Sequence, residues 1–229
     1  YDFKKFKYFA GHSLGEYSAL ACVGSTNFED TLKILQKRGK FMQEAVPSGE
    51  GAMLAVLGMA SKELDKILEM NNKKYECFIA NDNSNLQVVV SGLKKDINLL
   101  SDDLRIKKVK NLKLNVSAPF HCKYMKTASE KMTDYINDLK INDLDKPIIS
   151  NVTAMETKSP EEIKSLLISQ IEKKVRWLES IEYMINNGIK NFVEIGPGKV
   201  LSGLIKRINK NVSVSSINTE EDIKLLLND

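Results

Sequence analysis

Cysteine is scarce in this sequence: it contains three, Cys22, Cys77 and Cys122, and they lie far apart. An odd number at wide spacing provides neither a disulfide framework nor a C-x-x-C metal pair, which points to a reducing compartment. No apolar run approaches the length of a membrane span, and the first residues lack the pattern of a signal peptide. We therefore expect a protein that does not span a membrane.

The sequence also lacks a large excess of one charge. It contains 34 Lys and Arg residues and 30 Asp and Glu residues, which give a net charge of +4. This charge is too small and too scattered to indicate a nucleic-acid partner, although it would not oppose an acidic protein partner. The chain is 42% hydrophobic and 229 residues long. These values are typical of a soluble globular protein with one large domain, or with one domain and a smaller insert.

The clearest motif is Gly-x-Ser-x-Gly at residues 11–15, with Ser13 at its centre. The preceding residues 6–10 are aromatic and predict a short strand, and residues 14–23 predict a helix. A strand, a sharp turn and an immediate helix are the context of a nucleophile elbow. The turn is tight, so we expect a Cβ at Gly11 or Gly15 to collide with a neighbouring element. The serine hydroxyl would then lie above the helix N-terminus, where backbone N–H groups can bind an oxyanion.

Histidine is rarer still, and the two histidines limit the choice of a base for the serine. His12 is adjacent to Ser13, so its side chain should point away, which indicates a structural role. His121, in a proline-containing loop, is then the candidate base. No carboxylate is placed as a third member of a triad. A backbone carbonyl can orient the histidine instead, because the second ring nitrogen needs only an acceptor.

Two further polar residues lie on apolar helical stripes. Arg38 either snorkels or pairs with a protein carboxylate, or it forms a fork for a substrate carboxylate. Gln170 is either a satisfied core amide or part of the site. Residues 196–199, Gly-Pro-Gly-Lys, lack the spacing of a phosphate loop, and His121 has no metal-ligand partners nearby in the sequence, so nucleotide and zinc sites are disfavoured.

Residues 51–116 form a self-contained pattern. Strands are predicted at 52–57, 75–80, 86–90 and 109–116, with helices at 61–70 and 94–104 and a hairpin loop at 81–85. The order βαββαβ predicts a ferredoxin-like subdomain.

The rest of the chain, residues 1–50 and 117–229, predicts the main domain. Helices are predicted at 26–46, 122–139, 177–186 and 200–208, and another begins at the N-cap Ser159. Strands are predicted at 147–152, 192–195 and 212–217. The first of these helices has a Thr26–Glu29 capping box and an apolar stripe made of Phe28, Leu32, Leu35, Met42 and Ala45. Strands that alternate with helices predict an α/β fold, with a mostly parallel sheet covered by helices on both faces.

Six stretches, collinear over essentially the whole chain, resemble malonyl-CoA:acyl carrier protein transacylases of type II fatty acid synthesis. They are residues 11–20 (GHSLGEYSAL), 38–47 (RGKFMQEAVP), 87–92 (QVVVSG), 119–122 (PFHC), 180–184 (SIEYM) and 194–201 (EIGPGKVL). The resemblance implies an α/β-hydrolase-like core with a ferredoxin-like insert. It also implies that the N-terminal part of the family fold, which carries a motif of the F-P-G-Q-G-S-Q type, is absent from this sequence.

The resemblance implies roles for individual residues. Ser13 would be the nucleophile, His121 the base, and Arg38 the ligand of the malonyl carboxylate. The main-chain carbonyl of Gln170 would orient His121, and the N–H of Leu14 would donate one bond to the oxyanion. The absent N-terminal segment would supply the other oxyanion donor.

The resemblance also implies that the residue before His121 influences which acyl group is selected. Phe120 stands before His121, where a smaller residue is often found, and a bulky residue there is similar to malonyl-selective rather than branched-extender acyltransferases.

The resemblance implies an acyltransferase that moves malonyl from malonyl-CoA to the phosphopantetheine thiol of acyl carrier protein through a malonyl-serine. It implies a monomer and no cofactor. A serine thioesterase or esterase with the same elbow is the alternative, and a non-enzymatic domain that docks the carrier is a third reading. We expect a soluble protein of the bacterial cytoplasm or of a plastid-type organelle, since the Lys- and Asn-rich composition fits a low-GC genome.

Overall fold

The computed structural model describes residues 5–227; residues 1–4 and 228–229, the ends of the predicted main domain, lie outside the described residues. In chain order the elements are β1 (Phe9–Ala10), α1 (Leu14–Cys22), α2 (Phe28–Gln43), β2 (Gly51–Leu57), α3 (Ser61–Met70), β3 (Cys77–Ser84), β4 (Gln87–Leu93), α4 (Lys94–Ile106), β5 (Lys110–Lys113), α5 (Lys126–Asp138), β6 (Ile148–Ile149), β7 (Glu156–Thr157), α6 (Pro160–Gln170), α7 (Trp177–Asn186), β8 (Asn191–Ile195), α8 (Val200–Ile208), β9 (Ser213–Ile217) and α9 (Glu220–Leu227). A 3-10 turn at Lys123–Met125 precedes α5. The predicted bounds of α3, α7 and α8 are confirmed, whereas β7 and α9 were not predicted.

The central sheet of residues 51–116 has four strands in the order β3-β4-β2-β5, all antiparallel. Alternate side chains of β2 point to opposite faces, as the two-residue period of a strand requires. Leu54 and Val56 pack with α3 and α4, while Met53 and Ala55 pack on the opposite face against Phe120. Both faces of the sheet are therefore covered, and one of them abuts the loop that carries His121.

The predicted hairpin between the middle strands is confirmed, but the predicted bounds of its loop, residues 81–85, are wrong. Strand β3 continues through Ser84, and the turn to β4 is confined to Asn85 and Leu86. The polar residues of β3 stay extended because the strand bonds to a segment distant in the sequence. Asp82 N–H donates to the carbonyl of Val175 at 2.9 Å, and Val175 N–H donates to the carbonyl of Ala80 at 2.8 Å.

The prediction of one mostly parallel sheet is correct for two strand pairs but wrong for their arrangement. The parallel pair β1–β6 and the antiparallel β7 form one small sheet, and the parallel pair β8–β9 forms another. Strand β1 is shorter than the predicted 6–10 and β6 shorter than the predicted 147–152. Proline at 147 cannot donate a ladder hydrogen bond, and the residues after β6 bend toward the elbow.

Helices α1, α2, α5 and α6 share one hydrophobic core. The apolar stripe that the sequence predicts for α5 is buried; its members are Met125, Ala128, Met132, Ile136 and Leu139. The stripe predicted for α2 is partly wrong, because Phe28 is 70% and Leu32 51% exposed. Met42 of this stripe is buried, and the buried face of α2 also carries Ile34 and Arg38. The capping box is also wrong, since Asn27 rather than Thr26 is the N-cap, and its side chain accepts from the N–H of Asp30.

The N-terminus of α8, which follows the Gly-Pro-Gly-Lys turn, is already occupied by a protein carboxylate. Glu194 accepts hydrogen bonds from the N–H groups of Leu201 (3.0 Å) and Ser202 (2.7 Å). A phosphate would have to displace this anion, which agrees with the sequence argument against a phosphate loop.

The cysteines are free thiols. Within residues 5–227, no group of three or more His, Cys, Asp or Glu side chains could hold a metal ion. Over the same residues, every helix is too short or too polar to cross a membrane.

Candidate active site

The elbow at Ser13 has the backbone geometry of a strained turn. Ser13 is the N-cap of α1 and has a positive φ of 54°, a conformation that non-glycine residues rarely adopt. A Cβ built on Gly11 would lie 1.9 Å from the carbonyl oxygen of Gly15, whereas a Cβ on Gly15 would have no atom within 4 Å. The predicted collision therefore holds for Gly11 and is wrong for Gly15, because the latter faces open space at the start of α1.

We predict that Gly11→Ala destabilises the protein and that Gly15→Ala does not. The first change forces a methyl group into the backbone of α1, which costs roughly 1–3 kcal/mol or more. The second replaces glycine by a better helix former and is expected to be neutral or to stabilise by up to about 1 kcal/mol. Urea unfolding of the two variants measures this difference. Equal unfolding free energies would contradict the close approach at Gly11.

Asn151 holds the elbow from the far side, a role that the sequence did not reveal. Its Oδ1 accepts from the N–H of Ser13 at 2.7 Å, and its Nδ2 donates to the carbonyl of Gly11 at 2.8 Å. The side chain is 1% exposed. Asn151 therefore bonds to the backbone on both sides of His12 and supports the positive φ of Ser13.

The structure brings His121 to Ser13 across 108 positions of the chain. Ser13 Oγ lies 2.7 Å from His121 Nε2, and His121 Nδ1 lies 2.8 Å from the carbonyl oxygen of Gln170. A carbonyl can only accept, so Nδ1 carries the proton and Nε2 accepts from the serine hydroxyl. Gln170 is the last residue of α6, where carbonyls lack intrahelical partners. The free end of a helix thus takes the place of a triad carboxylate.

Burial keeps His121 neutral. The side chain is 4% exposed, and desolvation, aided by the positive charge of Arg38, lowers the pKa of His121 to about 3. The residue has a φ of 59°, and the loop before it is tied to the small sheet by a hydrogen bond from Ser91 to the carbonyl of Phe120. At neutral pH the imidazole is therefore in the form that can accept a proton from Ser13.

Arg38 extends from the buried face of α2 to the serine. Its Nη2 donates to Ser13 Oγ at 2.9 Å and to Oε1 of Gln170 at 3.0 Å. The guanidinium is 5.6 Å from the ring centroid of Tyr17. Within the described residues it pairs with no carboxylate, and its buried Nε has no hydrogen-bond partner. The alternatives of snorkelling and of a protein ion pair are disfavoured, because Arg38 is 6% exposed and lacks a carboxylate partner.

Gln170 is 0% exposed, and every part of its side chain has a partner. Its Nε2 donates to the carbonyl of Ser13 at 3.0 Å and to Oε2 of Glu16 at 2.7 Å, with a longer contact of 3.4 Å to Asn151. Its Oε1 accepts from Arg38. These partners fix the amide in one orientation, since a flip would place the NH₂ group against the guanidinium donor.

Glu16 is the second residue that the sequence did not reveal. It lies in the first turn of α1, is 1% exposed, and accepts from Gln170 Nε2 and from the N–H of Asn151 at 3.1 Å. Desolvation raises its pKa to about 7, against the opposing effects of these hydrogen bonds and of Arg38. A carboxylate among the apolar residues of a short helix was the sequence signal that could have identified it.

The raised pKa of Glu16 predicts a pH-dependent cost to folding. Below pH 4.5 the Glu16 carboxyl is protonated in both the folded and the unfolded state. Between pH 4.5 and 7 the unfolded chain releases this proton while the folded protein keeps it, so the free energy of unfolding falls as the pH rises. At about 1.4 kcal/mol per pKa unit, the loss amounts to roughly 3 kcal/mol above pH 7. The unfolding free energy of Glu16→Gln, minus that of the wild type, should therefore rise over this range. Denaturant titrations at pH 5, 6, 7 and 8 measure it, and a difference independent of pH would refute the assignment.

Three other residues from the sequence prediction lie around this group. His12 turns away from Ser13, with Nε2 2.8 Å from Oδ1 of Asn83 and its ring 5.5 Å from that of Trp177, as a structural role requires. Leu14 begins α1, so its N–H has no intrahelical acceptor. Phe120 packs against two core clusters beside His121.

Comparison with known proteins places this geometry in a family. The acyl transferase domain matches residues 6–223. Malonyl CoA-acyl carrier protein transacylase of Bacillus subtilis is 44% identical over 223 residues, which cover 95% of this chain and 69% of the relative. The crystal structure of the acyl-carrier-protein S-malonyltransferase of Bartonella henselae superposes with a TM-score of 0.94 at 40% identity, covering 98% of this chain and 72% of that one.

A second solved structure holds a malonyl-transacylase together with its type II polyketide synthase acyl carrier protein. It has a TM-score of 0.91 and 36% identity, and covers 97% of this chain and 73% of that one. The family model, the curated relative and the solved structures all match nearly the whole of this sequence. The chain belongs to the acyl transferase family, among the malonyl-CoA:acyl carrier protein transacylases.

Proposed function

We propose that this chain transfers the malonyl group from malonyl-CoA to the phosphopantetheine thiol of acyl carrier protein, for fatty acid synthesis. The observation that carries the proposal is the position of Ser13 Oγ, 2.7 Å from His121 Nε2 and 2.9 Å from Arg38 Nη2. A neutral base and a free cation on one hydroxyl suit a nucleophile that must select an anionic acyl group. The names of the relatives give the same substrates.

The first half-reaction acylates the serine. Nε2 of His121 takes the proton of Ser13 while Oγ attacks the thioester carbonyl carbon of malonyl-CoA. The tetrahedral intermediate collapses with cleavage of the C–S bond. The imidazolium returns its proton to the departing sulfur, so CoA leaves as the thiol and Ser13 carries a malonyl ester. The carbonyl of Gln170, at the negative end of α6, stabilises the transient imidazolium.

The negative charge of the tetrahedral intermediate requires hydrogen-bond donors. The N–H of Leu14, at the start of α1, would be one donor, and it benefits from the positive end of the helix dipole. The second donor stays a prediction that rests on the family resemblance alone.

Arg38 binds the malonyl carboxylate in this proposal. Its fork is buried, held in place by Gln170 and free of a carboxylate partner among the described residues. A buried guanidinium gains most from a bidentate carboxylate, because the two charges neutralise each other where water is excluded. An acetyl group lacks this contact, so the arginine selects malonyl and anchors the ester away from water.

The second half-reaction repeats the first with a different nucleophile. The phosphopantetheine thiol of acyl carrier protein gives its proton to His121, and its sulfur attacks the malonyl ester. Cleavage of the ester C–O bond returns the proton to Ser13 Oγ and leaves malonyl on the carrier. The residues supply all proton transfers, so we propose that no cofactor takes part. The hydrolase alternative, in which water replaces the thiol, is not favoured by the relatives.

We also propose a division of the architecture. Residues 51–116 would be a ferredoxin-like subdomain, which the βαββαβ order and the strand order β3-β4-β2-β5 support. It would be inserted in an α/β-hydrolase-like core made of residues 1–50 and 117–229, which the elbow and the parallel strand pairs support.

Phe120, between the two parts, would favour malonyl over branched acyl groups. We propose a location in the bacterial cytoplasm, because the curated relatives are bacterial. We also propose a monomer, as the family resemblance implies.

Intact-protein mass spectrometry tests the proposed function. The protein is incubated with malonyl-CoA, and holo acyl carrier protein is then added. We expect a malonyl adduct on Ser13 that moves to the carrier. An adduct lost to water at the same rate with and without the carrier would establish a hydrolase instead. Absence of any adduct would refute the transferase function for this chain.

A further inference from the structure

We propose that Glu16 is a positioning residue for acyl selection, because it fixes the side-chain amide of Gln170 and thereby the fork of Arg38. This inference rests on the proposed function. Glu16 lies one helical turn after Ser13, yet its carboxylate is directed into the protein and is 1% exposed. The proposed reaction assigns it no step, so its burial needs another explanation.

The argument begins with the orientation of Gln170. The shortest bond of its NH₂ group is to Oε2 of Glu16, at 2.7 Å; the bonds to the carbonyl of Ser13 and to Asn151 are 3.0 and 3.4 Å. A carboxylate oxygen is a stronger acceptor than a carbonyl oxygen. Glu16 therefore contributes most to holding the NH₂ group on the side away from Arg38.

The next step is the guanidinium. With the amide held in this way, Oε1 of Gln170 is presented to Arg38 Nη2 at 3.0 Å. Rotation of the amide by 180° would bring two sets of N–H donors together, and Arg38 would have to move. Since Nη2 also donates to Ser13 Oγ, a displaced guanidinium would no longer align a bound carboxylate with the reacting atoms.

The charge of Glu16 adds a second effect. Arg38, on α2, is the cation that faces Glu16, and Tyr17, on α1, is the other titratable group near it. From α6 and from the segment after β6, two neutral groups donate to the carboxylate: Nε2 of Gln170 and the backbone N–H of Asn151. Above about pH 7, where it is ionised, Glu16 thus partly balances the buried guanidinium without bonding to it, which leaves the fork available for substrate.

Asn151 offers a matched control, because it contacts Glu16 and Gln170 but acts on the elbow itself. Its side chain bonds to the N–H of Ser13 and to the carbonyl of Gly11. Loss of these bonds should disturb the nucleophile for every acyl group. Loss of Glu16 should disturb mainly the acyl groups that Arg38 binds.

The experiment compares Ser13 acylation by malonyl-CoA and by acetyl-CoA in four proteins: the wild type, Glu16→Leu, Glu16→Gln and Asn151→Ala. Leucine has a similar volume but no acceptor, whereas glutamine keeps an acceptor oxygen. We expect Glu16→Leu to raise the KM for malonyl-CoA at least about tenfold, with acetylation within about threefold of wild type. Glu16→Gln should restore most of the malonyl preference, and Asn151→Ala should lower both acylations by similar factors.

Equal losses of malonyl and acetyl transfer in Glu16→Leu would overturn the proposal, since they would indicate a structural role alone. If this variant does not fold, Glu16→Asp provides the same comparison, because it withdraws the carboxylate from Gln170 by one methylene. The wild type separates the two hypotheses. A wild type that accepts malonyl, with an unchanged malonyl-to-acetyl ratio in the Glu16 variants, overturns only the role of Glu16. A wild type that accepts no malonyl overturns the proposed function and this role together.

Discussion

Replacing Ser13 with alanine is expected to abolish the malonyl-enzyme and to lower malonyl transfer by roughly 10⁶-fold. The side chains around it leave no substitute nucleophile on the elbow. His121 and Arg38 would keep their places, because they are held by Gln170 as well as by the serine. Mass spectrometry of the variant after incubation with malonyl-CoA measures the adduct, and a coupled assay measures transfer.

Ser18→Ala is the matched control for this change. Ser18 lies on the same helix and is exposed to solvent, so the same loss of one hydroxyl should leave both acylation and transfer unchanged. His121→Ala should give an intermediate result, with slow acylation reduced by roughly 10²- to 10⁴-fold, because the nucleophile remains while its base is lost. A malonyl adduct on Ser13→Ala would show that another residue is the nucleophile.

Replacing Arg38 with alanine is expected to reverse the acyl preference. Truncating one partner of a buried, hydrogen-bonded charge pair costs about 2–5 kcal/mol. Malonyl-CoA should therefore lose on the order of 10²- to 10³-fold in kcat/KM, whereas acetyl-CoA, which has no carboxylate, should react at a similar rate or faster. Steady-state kinetics with the two thioesters measure the change. Hydrolysis of the acyl-enzyme should also increase, because the ester is no longer anchored.

Two variants control for charge and for helix stability. Arg38→Lys keeps the cation but loses the planar fork, and should recover only part of the malonyl preference. Lys40→Ala removes an exposed cation from the same helix, and should leave the preference unchanged. A malonyl-to-acetyl ratio in Arg38→Ala equal to that of the wild type would remove the arginine from substrate selection.

The local elements of this protein could be predicted from the sequence because their causes are local. The Gly-x-Ser-x-Gly turn, the start of α6 at Ser159 and the buried stripe of α5 depend on residues within one or two helical turns. The family resemblance extended this prediction to Ser13, His121, Arg38 and Gln170, four residues that the structure brings within hydrogen-bond distance of one another or of a shared partner.

Errors arose where a neighbouring element decides the outcome. Phe28 and Leu32 fit an apolar stripe, yet α2 is turned so that both are exposed and Ile34 lies on its buried face. The residues around Asn83 have the composition of a turn, yet they remain in strand β3, next to its bonds with Val175. The hydrophobic periodicity of a helix shows how wide its apolar face is, but not which neighbouring elements that face contacts. The turn propensity of a few residues is also weaker than the hydrogen bonds that hold them in a strand.

The sequence by itself determined the elbow, the helices from α1 to α8 and the family of this protein. Only the tertiary structure decided how the serine is supported. Asn151 bonds to Ser13 across 138 positions of the chain, and Glu16 bonds to Gln170 across 154. A buried amide and a buried carboxylate have no local signature of their partners, because those partners are chosen by the packing of α1 against β6 and α6. The site forms where α1, the segment after β6 and α6 each bury a polar residue, namely Glu16, Asn151 and Gln170. These groups must find hydrogen-bond partners within the protein because water is excluded.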